Sequence, residues 1–340
     1  MHKLDTIAPA STSLSLPISQ ARAASGAVVN HPAASDFNGD GSSDVLYGTD
    51  DGLISDLLAD ERSGFVSNAK FDIQVTSNWH VIGTGDFNGD GRVDLLWRSD
   101  DGSLTDWLGQ SDGSFINNWD NFHIQADANW QIVGTGDYDG DGISDLLWRS
   151  TEGTVTNWLG DSDGSFTTNW SNFHIHADSN WQIVGTHDFD GDGISDIMWR
   201  SNDGVLTNWL GQANGAFANN FSNFNVIASS NWQIAGFGDF NGDGRNDILW
   251  RSNDGTVSDW LANPNGGFTT NGSDYTIYAT SNWHISAIGD YNHDGRSDIF
   301  WSSDAGEVSD WFGQANGAVT PSAQAFDTRI DIHTHVIDWP

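Results

Sequence analysis

A period of about 51 residues constrains this chain more than any other feature. An acidic nonapeptide occurs six times, beginning at Asp36, Asp86, Asp137, Asp188, Asp239 and Asp290, so successive copies are 50, 51, 51, 51 and 51 residues apart. The register extends well outside the nonapeptide. "NWHVIGTGDF", "NWQIVGTGDY", "NWQIVGTHDF", "NWQIAGFGDF" and "NWHISAIGDY" lead into the last five copies, and "LLWRS", "LLWRS", "IMWRS", "ILWRS" and "IFWSS" follow them. A repeat this regular implies stacked or ring-arranged units, each covering the faces of its neighbours.

Within one period, the runs Trp130–Gly134, Asp145–Arg149 and Val155–Gly160 are strand-length, rich in Trp and bounded by Gly, Asp and Ser. No helical periodicity exceeds one turn. The segment 121–126 supplies a fourth strand. Four strands of about six residues with four connections of similar length fill about fifty residues. That arithmetic predicts an all-β chain, a β-propeller of six four-stranded blades, rather than a β-helix with its shorter repeats. The Gly-Thr-Gly before each acidic stretch is expected on the innermost strand, where blades crowd the axis.

Copy 1 departs from the pattern, with Pro32 where the others carry a clean strand. Past copy 6, "THVIDWP" (334–340) aligns with "WHVIGTG" (79–85). The C-terminal segment is therefore expected to pair into the first blade and close the ring, hiding an exposed sheet edge. A seven-bladed ring with a split, loop-less blade is the alternative. Residues 1–26 read as a flexible leader and 27–340 as one propeller domain. Ala21-Arg22-Ala23 offers a small-residue cleavage site, but the stretch before it is too polar for a signal peptide's apolar region.

The nonapeptides place oxygen-bearing side chains at positions 1, 3, 5 and 9. The candidate metal ligands are Asp36, Asn38, Asp40 and Asp44; Asp86, Asn88, Asp90 and Asp94; Asp137, Asp139, Asp141 and Asp145; Asp188, Asp190, Asp192 and Asp196; Asp239, Asn241, Asp243 and Asp247; and Asp290, Asn292, Asp294 and Asp298. The position-7 carbonyls of Ser42, Arg92, Ile143, Ile194, Arg245 and Arg296 can add a further oxygen. A flexible, all-oxygen shell suits calcium rather than magnesium, and glycine at position 6 permits the sharp turn. An EF-hand would carry Glu at position 12, where this chain has apolar residues such as Trp97. Asx-rich turns with solvated acids are the competing reading, but six copies in one register favour a cation. Asp139 and Asp190 replace Asn at position 3, so loops 3 and 4 are expected to bind most tightly. His293 replaces Gly at position 4 of loop 6, which is expected to be weaker or distorted.

These stretches resemble the FG-GAP/VCBS-type propeller repeats, a family that includes the calcium-bearing blades of integrin α-chains and many secreted bacterial proteins. The resemblance covers about residues 27–340. It implies calcium in the hairpin between the first and second strands of each blade, placement outside the cell or on its surface, and binding to proteins or glycans.

Composition narrows the partners. The net charge is −35, which repels nucleic acid and anionic lipid. No apolar run approaches a membrane span. Eighteen Trp and 18 Phe make a large core possible, and the absence of cysteine excludes disulfides and thiolate sites. Trp79, Trp97 and Trp107 each head a column repeated in the later copies. The first two columns read mainly as packing. The third, Trp107, Trp158, Trp209, Trp260 and Trp311, together with Trp119 and Trp170 in "NNWDNF" and "TNWSNF", supplies the candidate ligand-binding rings. Arg98, Arg149, Arg200 and Arg251 are expected in cross-strand stacks or ion pairs. No HExxH or phosphate loop occurs, and "SDDGSLTDW" (99–107) misplaces the glycine of a sialidase Asp box. The sequence thus points to a secreted or cell-surface calcium-binding module for glycan or protein, without catalytic residues. A polysaccharide-acting enzyme and a ligand-free structural module are the alternatives.

Overall fold

The computed structural model describes residues 35–49, 52–60, 64–322 and 334–336. They form six antiparallel sheets and no helix, a six-bladed β-propeller. Nothing among the described residues is a helix long and apolar enough to cross a membrane. The predicted leader and Pro32 lie outside the described residues.

Blade 2 represents the pattern. Its innermost strand is Trp79–Gly85, followed outward by Asp94–Ser99, Ser103–Gly109 and Phe115–Asn117. The predicted fourth strand at 121–126 is present as His123–Gln125, and a further short strand, Phe115–Asn117, precedes it. Phe115–Asn117 and His123–Gln125 pair successively with Ser103–Gly109, at its end and its start. The turn between them is fixed by Asn118, whose carbonyl accepts the backbone N–H groups of Asn121 and Phe122 at 3.0 and 2.9 Å. Blade 1 has no such break, and its outer strand runs unbroken from Gly64 to Gln74. The inner strand carries one register shift, between Val81 and Gly83, repeated in blades 3–6. An unpaired residue there increases the local twist that a propeller blade requires.

The ring closes as expected. Thr334–Val336 pairs with Val45–Thr49 through Tyr47↔Val336, Gly48↔His335 and Thr49↔Thr334. The equivalent pairs in blade 2 are Trp97↔Val81, Arg98↔His80 and Ser99↔Trp79. Thr334 lies 255 residues after Trp79 (334 − 79), five periods of 51, so the last strand takes the register its sequence dictates. The described residues hold six blades.

The core lies between blades. One cluster joins Phe37, Leu46, Ile54 and Phe71 of blade 1 to Val81, Leu95 and Trp97 of blade 2, and comparable clusters fill the other seams. A further cluster, including Tyr47, Leu57, Tyr291 and Phe300, joins blades 1 and 6. The second Trp column, Trp97, Trp148, Trp199, Trp250 and Trp301, is buried. Near the axis the blades approach so closely that a Cβ at Gly134 would meet Thr186 at 2.7 Å and one at Gly185 would meet Phe237 at 2.3 Å. The small innermost residues are thus required by packing.

Of Arg98, Arg149, Arg200 and Arg251, two make the predicted stacks, across blades, and none forms an ion pair among the described residues. Each reaches the next blade's backbone: Arg98 donates to the Trp130 carbonyl at 2.9 Å, Arg149 to Asp178 at 3.1 Å, Arg200 to Trp232 at 3.2 Å and Arg251 to Thr280 at 3.1 Å. Two also sit over the next blade's indole, Arg149 on Trp199 and Arg251 on Trp301, at 6.0 and 5.9 Å.

Truncation before Thr334 should therefore expose the edge of blade 1. Losing its ladder, at about 1 kcal/mol per hydrogen bond, should lower the melting temperature by roughly 4–10 °C. Calorimetric scanning and size-exclusion chromatography of the truncated chain check this; an unchanged melting temperature would remove the closing strand's role.

Candidate metal centre

Each acidic nonapeptide lies where the innermost strand turns into the second, as Asp86–Asp94 does between Gly85 and Leu95. The position-1 carboxylate organises the turn. In loop 3, Asp137 Oδ1 accepts the N–H groups of Gly140 and Asp141, and Oδ2 accepts that of Gly142 at 2.8 Å. The position-5 carboxylate accepts the position-7 N–H, as Asp141 does from Ile143 at 2.9 Å.

The position-9 aspartate is the structural centre. Asp94 is fully buried; its Oδ2 accepts Phe87 N–H at 2.8 Å and its Oδ1 accepts Gly109 N–H at 2.7 Å. Asp44, Asp145, Asp196, Asp247 and Asp298 repeat the pattern. One carboxyl thus ties the loop to the end of the third strand. Burial, which outweighs these hydrogen bonds, pushes all six up to about 8, and the neighbouring loop acids push in the same direction.

The aromatic residue at position 2 is a feature that the sequence reading missed. Phe37, Phe87, Tyr138 and Phe189 are fully buried and meet Phe115, Phe166, Phe217 and Phe268 of the next blade edge-on at 5.4, 5.4, 5.4 and 5.6 Å. An uninterrupted Phe/Tyr column inside an acidic loop was the available signal. The loops also bond to one another. The position-8 N–H donates to the position-1 carbonyl of the preceding loop: Val93 to Asp36, Ser144 to Asp86, Ser195 to Asp137, Asn246 to Asp188, Ser297 to Asp239, and Ser43 back to Asp290, all at 2.7–2.9 Å.

Two loops bring three carboxylates together. One oxygen each from Asp137, Asp139 and Asp145 lie within 4.8 Å of one another, and so do those of Asp188, Asp190 and Asp196. Asp141 and Asp192 stand outside these triads. Burial first, then the adjacent loop acids, raises the carboxyls of Asp139 and Asp190. Asp139 Oδ1 is buried and has no hydrogen-bond partner. Clustered oxygens, mutual repulsion and an orphaned buried oxygen fit a hard cation.

The other loops differ in charge. Loops 3 and 4 each carry four acids. Loops 2, 5 and 6 carry three, and Arg92, Arg245 and Arg296 at position 7 pair with Asp90, Asp243 and Asp294. Their formal charges are therefore −4 and −3 + 1 = −2. In loop 6, His293 is the single non-glycine residue with positive φ among the described residues, at 58°. Its Nδ1 lies 2.6 Å from the Gly41 carbonyl of loop 1.

The candidate ligand-binding rings divide. Trp119 and Trp170 are 38% and 45% exposed, and each stacks on a histidine four residues on, His123 at 4.6 Å and His174 at 4.5 Å. Trp107, Trp158, Trp209 and Trp260 are half-buried against the second column. Trp311 is only 2% exposed, because it is enclosed with Trp301 and Val319, and it leaves the candidate set. Trp130, Trp148, Trp158 and Trp170 line a cavity of about 330 Å³ with Gln125 and Asp127 from the end of blade 2.

The FG-GAP-like repeat profile matches residues 36–97, 86–148, 137–199, 188–250 and 239–301. No curated protein matches the chain. Among solved structures, SapL1 lectin in complex with alpha methyl fucoside is similar at 10% identity, over 88% of this chain and 97% of that one, with a TM-score of 0.53. A candidate 6-phosphogluconolactonase from Bacteroides fragilis is similar at 12% identity, over 88% and 99%, with a TM-score of 0.48. At these identities the likeness is one of fold.

The buried acids set a direction for pH. A carboxyl raised in the folded state stabilises the cation-free fold below its unfolded value near 4 and loses that contribution as pH rises through about 8. Urea unfolding in excess chelator should accordingly give lower stability at pH 8 than at pH 5, and a divalent cation should remove most of the difference. Equal stability at both pH values would contradict the assignment.

Proposed function

The chain belongs to the FG-GAP-like repeat family, and from that premise we propose that it is a calcium-stabilised recognition module working outside the cell or on its surface. Its ligand is glycan, held against exposed aromatic rings, and it performs no catalysis. The observation that carries the calcium reading is the orphaned Asp139 oxygen within a triad of carboxylates. Residues of loops 3 and 4 would hold the tightest ions, and the Arg-covered loops weaker ones. Millimolar calcium outside cells would fill even weak sites of this kind.

The four-tryptophan cavity supports the glycan reading. Apolar ring faces flanked by Gln125, Asp127 and Thr156 offer both stacking and hydroxyl partners. The fucoside complex of a lectin with the same architecture is consistent with it.

Calorimetric titration should detect saturable calcium uptake. At a hundred times the dissociation constant, one site adds about 2.7 kcal/mol to folding stability. D139N and D190N should weaken the two tightest sites while leaving the others. No uptake by the wild-type chain would defeat the calcium assignment.

A glycan array on the calcium-loaded protein tests the ligand. W158A or W170A should weaken any glycan bound by about tenfold, equivalent to 1.4 kcal/mol, without changing calcium stoichiometry. Binding that survives both substitutions would move the site elsewhere.

A further inference from the structure

A second set of buried carboxyls lies away from the acidic loops, on the third strand. In blades 3 and 4 the position is asparagine. Asn157 donates from Nδ2 to the Gly215 carbonyl of the next blade at 2.8 Å, while its Oδ1 accepts the Asn169 amide at 3.1 Å. Asn208 donates to Gly266 at 2.8 Å and accepts from Asn220 at 3.0 Å. Both are fully buried. Each is therefore a tie across a blade seam in which the amide nitrogen supplies the proton.

In blades 1, 2 and 5 the same position is Asp56, Asp106 and Asp259, again fully buried, and blade 6 carries Asp310 there, also buried and with its Oδ1 likewise unpartnered. The accepting half of the arrangement survives unchanged. One oxygen accepts the amide of Asn68, Asn118 or Asn271 at 3.3, 3.2 and 3.2 Å. The other oxygen is Oδ1. It is buried in all three and has no hydrogen-bond partner. The facing glycines keep their places: a Cβ at Gly164 would stand 2.6 Å from the Asp106 carboxyl, and one at Gly317 would stand 2.8 Å from that of Asp259. Gly164 and Gly317 lie 58 residues beyond their aspartates, the separation of Asn157 from Gly215.

An ionised carboxylate would bring only acceptors to a buried seam position where asparagine supplies a donor. A protonated carboxyl has the shape and the donor of the asparagine amide. We propose that Asp56, Asp106 and Asp259 are held as neutral acids whose O–H ties each blade to the next, so that rising pH releases these three seams and leaves the two asparagine seams fastened.

The surroundings favour the neutral form. Asp106 faces Asp163 and, at longer range, Asp94; Asp56 faces Asp72; Asp259 faces Tyr275 and, at longer range, Asp247. Every one of these groups is neutral or negative. Burial, the leading cause, pushes the three carboxyls up to about 7 against the opposing pull of the asparagine amides. The sign is that of any raised acid. The ties contribute fully below the ordinary carboxyl value near 4 and are lost as pH rises through about 7. The Asp and Asn seams thus divide one ring into titratable and permanent joints.

The test is thermal unfolding of the full chain in saturating calcium, from about pH 6 to about pH 9, which holds the loop acids constant between proteins. Wild type should lose several degrees across this range. D106N/D259N should lose at most half as much and should melt above wild type at pH 9. The converse pair N157D/N208D should steepen the dependence and serves if the first variant does not fold. Infrared difference spectra should show a protonated-carboxyl band in wild type that disappears at high pH and is reduced in D106N/D259N. Parallel pH slopes in wild type and variants, or no such band, would overturn the proposal.

Discussion

The structure depends on a carboxyl buried once in every blade. Asp44, Asp94, Asp145, Asp196, Asp247 and Asp298 each accept one N–H from the acidic loop and one from the end of the third strand. No other residue type does this in the same space. Asparagine offers one acceptor oxygen, and glutamate adds a methylene to a close-packed site. The arrangement fixes the loop against its own sheet, so the loop's shape is set before any ion arrives. It also places a group that is costly to ionise beside other acids. The fold therefore requires either a proton or a counter-charge at each loop, and a chain with a net charge of −35 has few internal cations to spare. Three of its twelve Lys and Arg residues are committed to these loops, at Arg92, Arg245 and Arg296.

The loops are also the seam of the ring. Six backbone hydrogen bonds join each loop to the one before it, the last running from Ser43 to Asp290. The buried position-2 aromatics carry the same junction into the core, from Phe37 on Phe115 to Tyr291 on Phe65. A cation ordering one loop would consequently stiffen two blades. Its effect on stability would exceed that of the local turn, because displacing a loop displaces its neighbour's hydrogen bond and aromatic contact together.

Much of this was legible in the sequence, because it is repeated. The period gave the blade, the alternating acids gave the loops, and "THV" at 334–336 aligned with "WHV" at 79–81 gave the closing register. What escaped was whatever depends on the neighbouring blade. Arg92 can be read as a loop residue contributing its carbonyl; only packing shows its guanidinium turned onto Asp90. The position-2 aromatics look like spacing between ligands until the next blade's phenylalanine is seen against them. The outer strand reads as one run at 121–126, whereas the Asn118 turn sets a second short strand, Phe115–Asn117, before it, an effect of local backbone hydrogen bonds that hydrophobic pattern does not record. Asp106 and Asn157 look interchangeable in a column of polar residues, and they differ only in whether the seam receives a proton.

The acidic loop and the aromatic cavity are separated along the blade. The innermost strand of blade 3 begins at Trp130, in the aromatic cavity, and ends at Gly136, beside Asp137. Seven extended residues at about 3.3 Å each place the two some 20 Å apart, so a cation at the loop cannot touch a ligand in the cavity. Their symmetry differs as well. The acidic loop is retained six times, but the exposed aromatic at Trp119 and Trp170 becomes Phe221 in blade 4 and Gly272 in blade 5, and the stacked His123 and His174 become Asn225 and Thr276. A scaffold element must recur in every blade, because one failed seam opens the ring. A recognition element is free to be kept in some blades and lost in others. The stacked Trp–His pair is kept in blades 2 and 3, so on the proposed glycan reading ligand capture would fall on one arc of the ring, where a repeating polymer could gain from effective concentration.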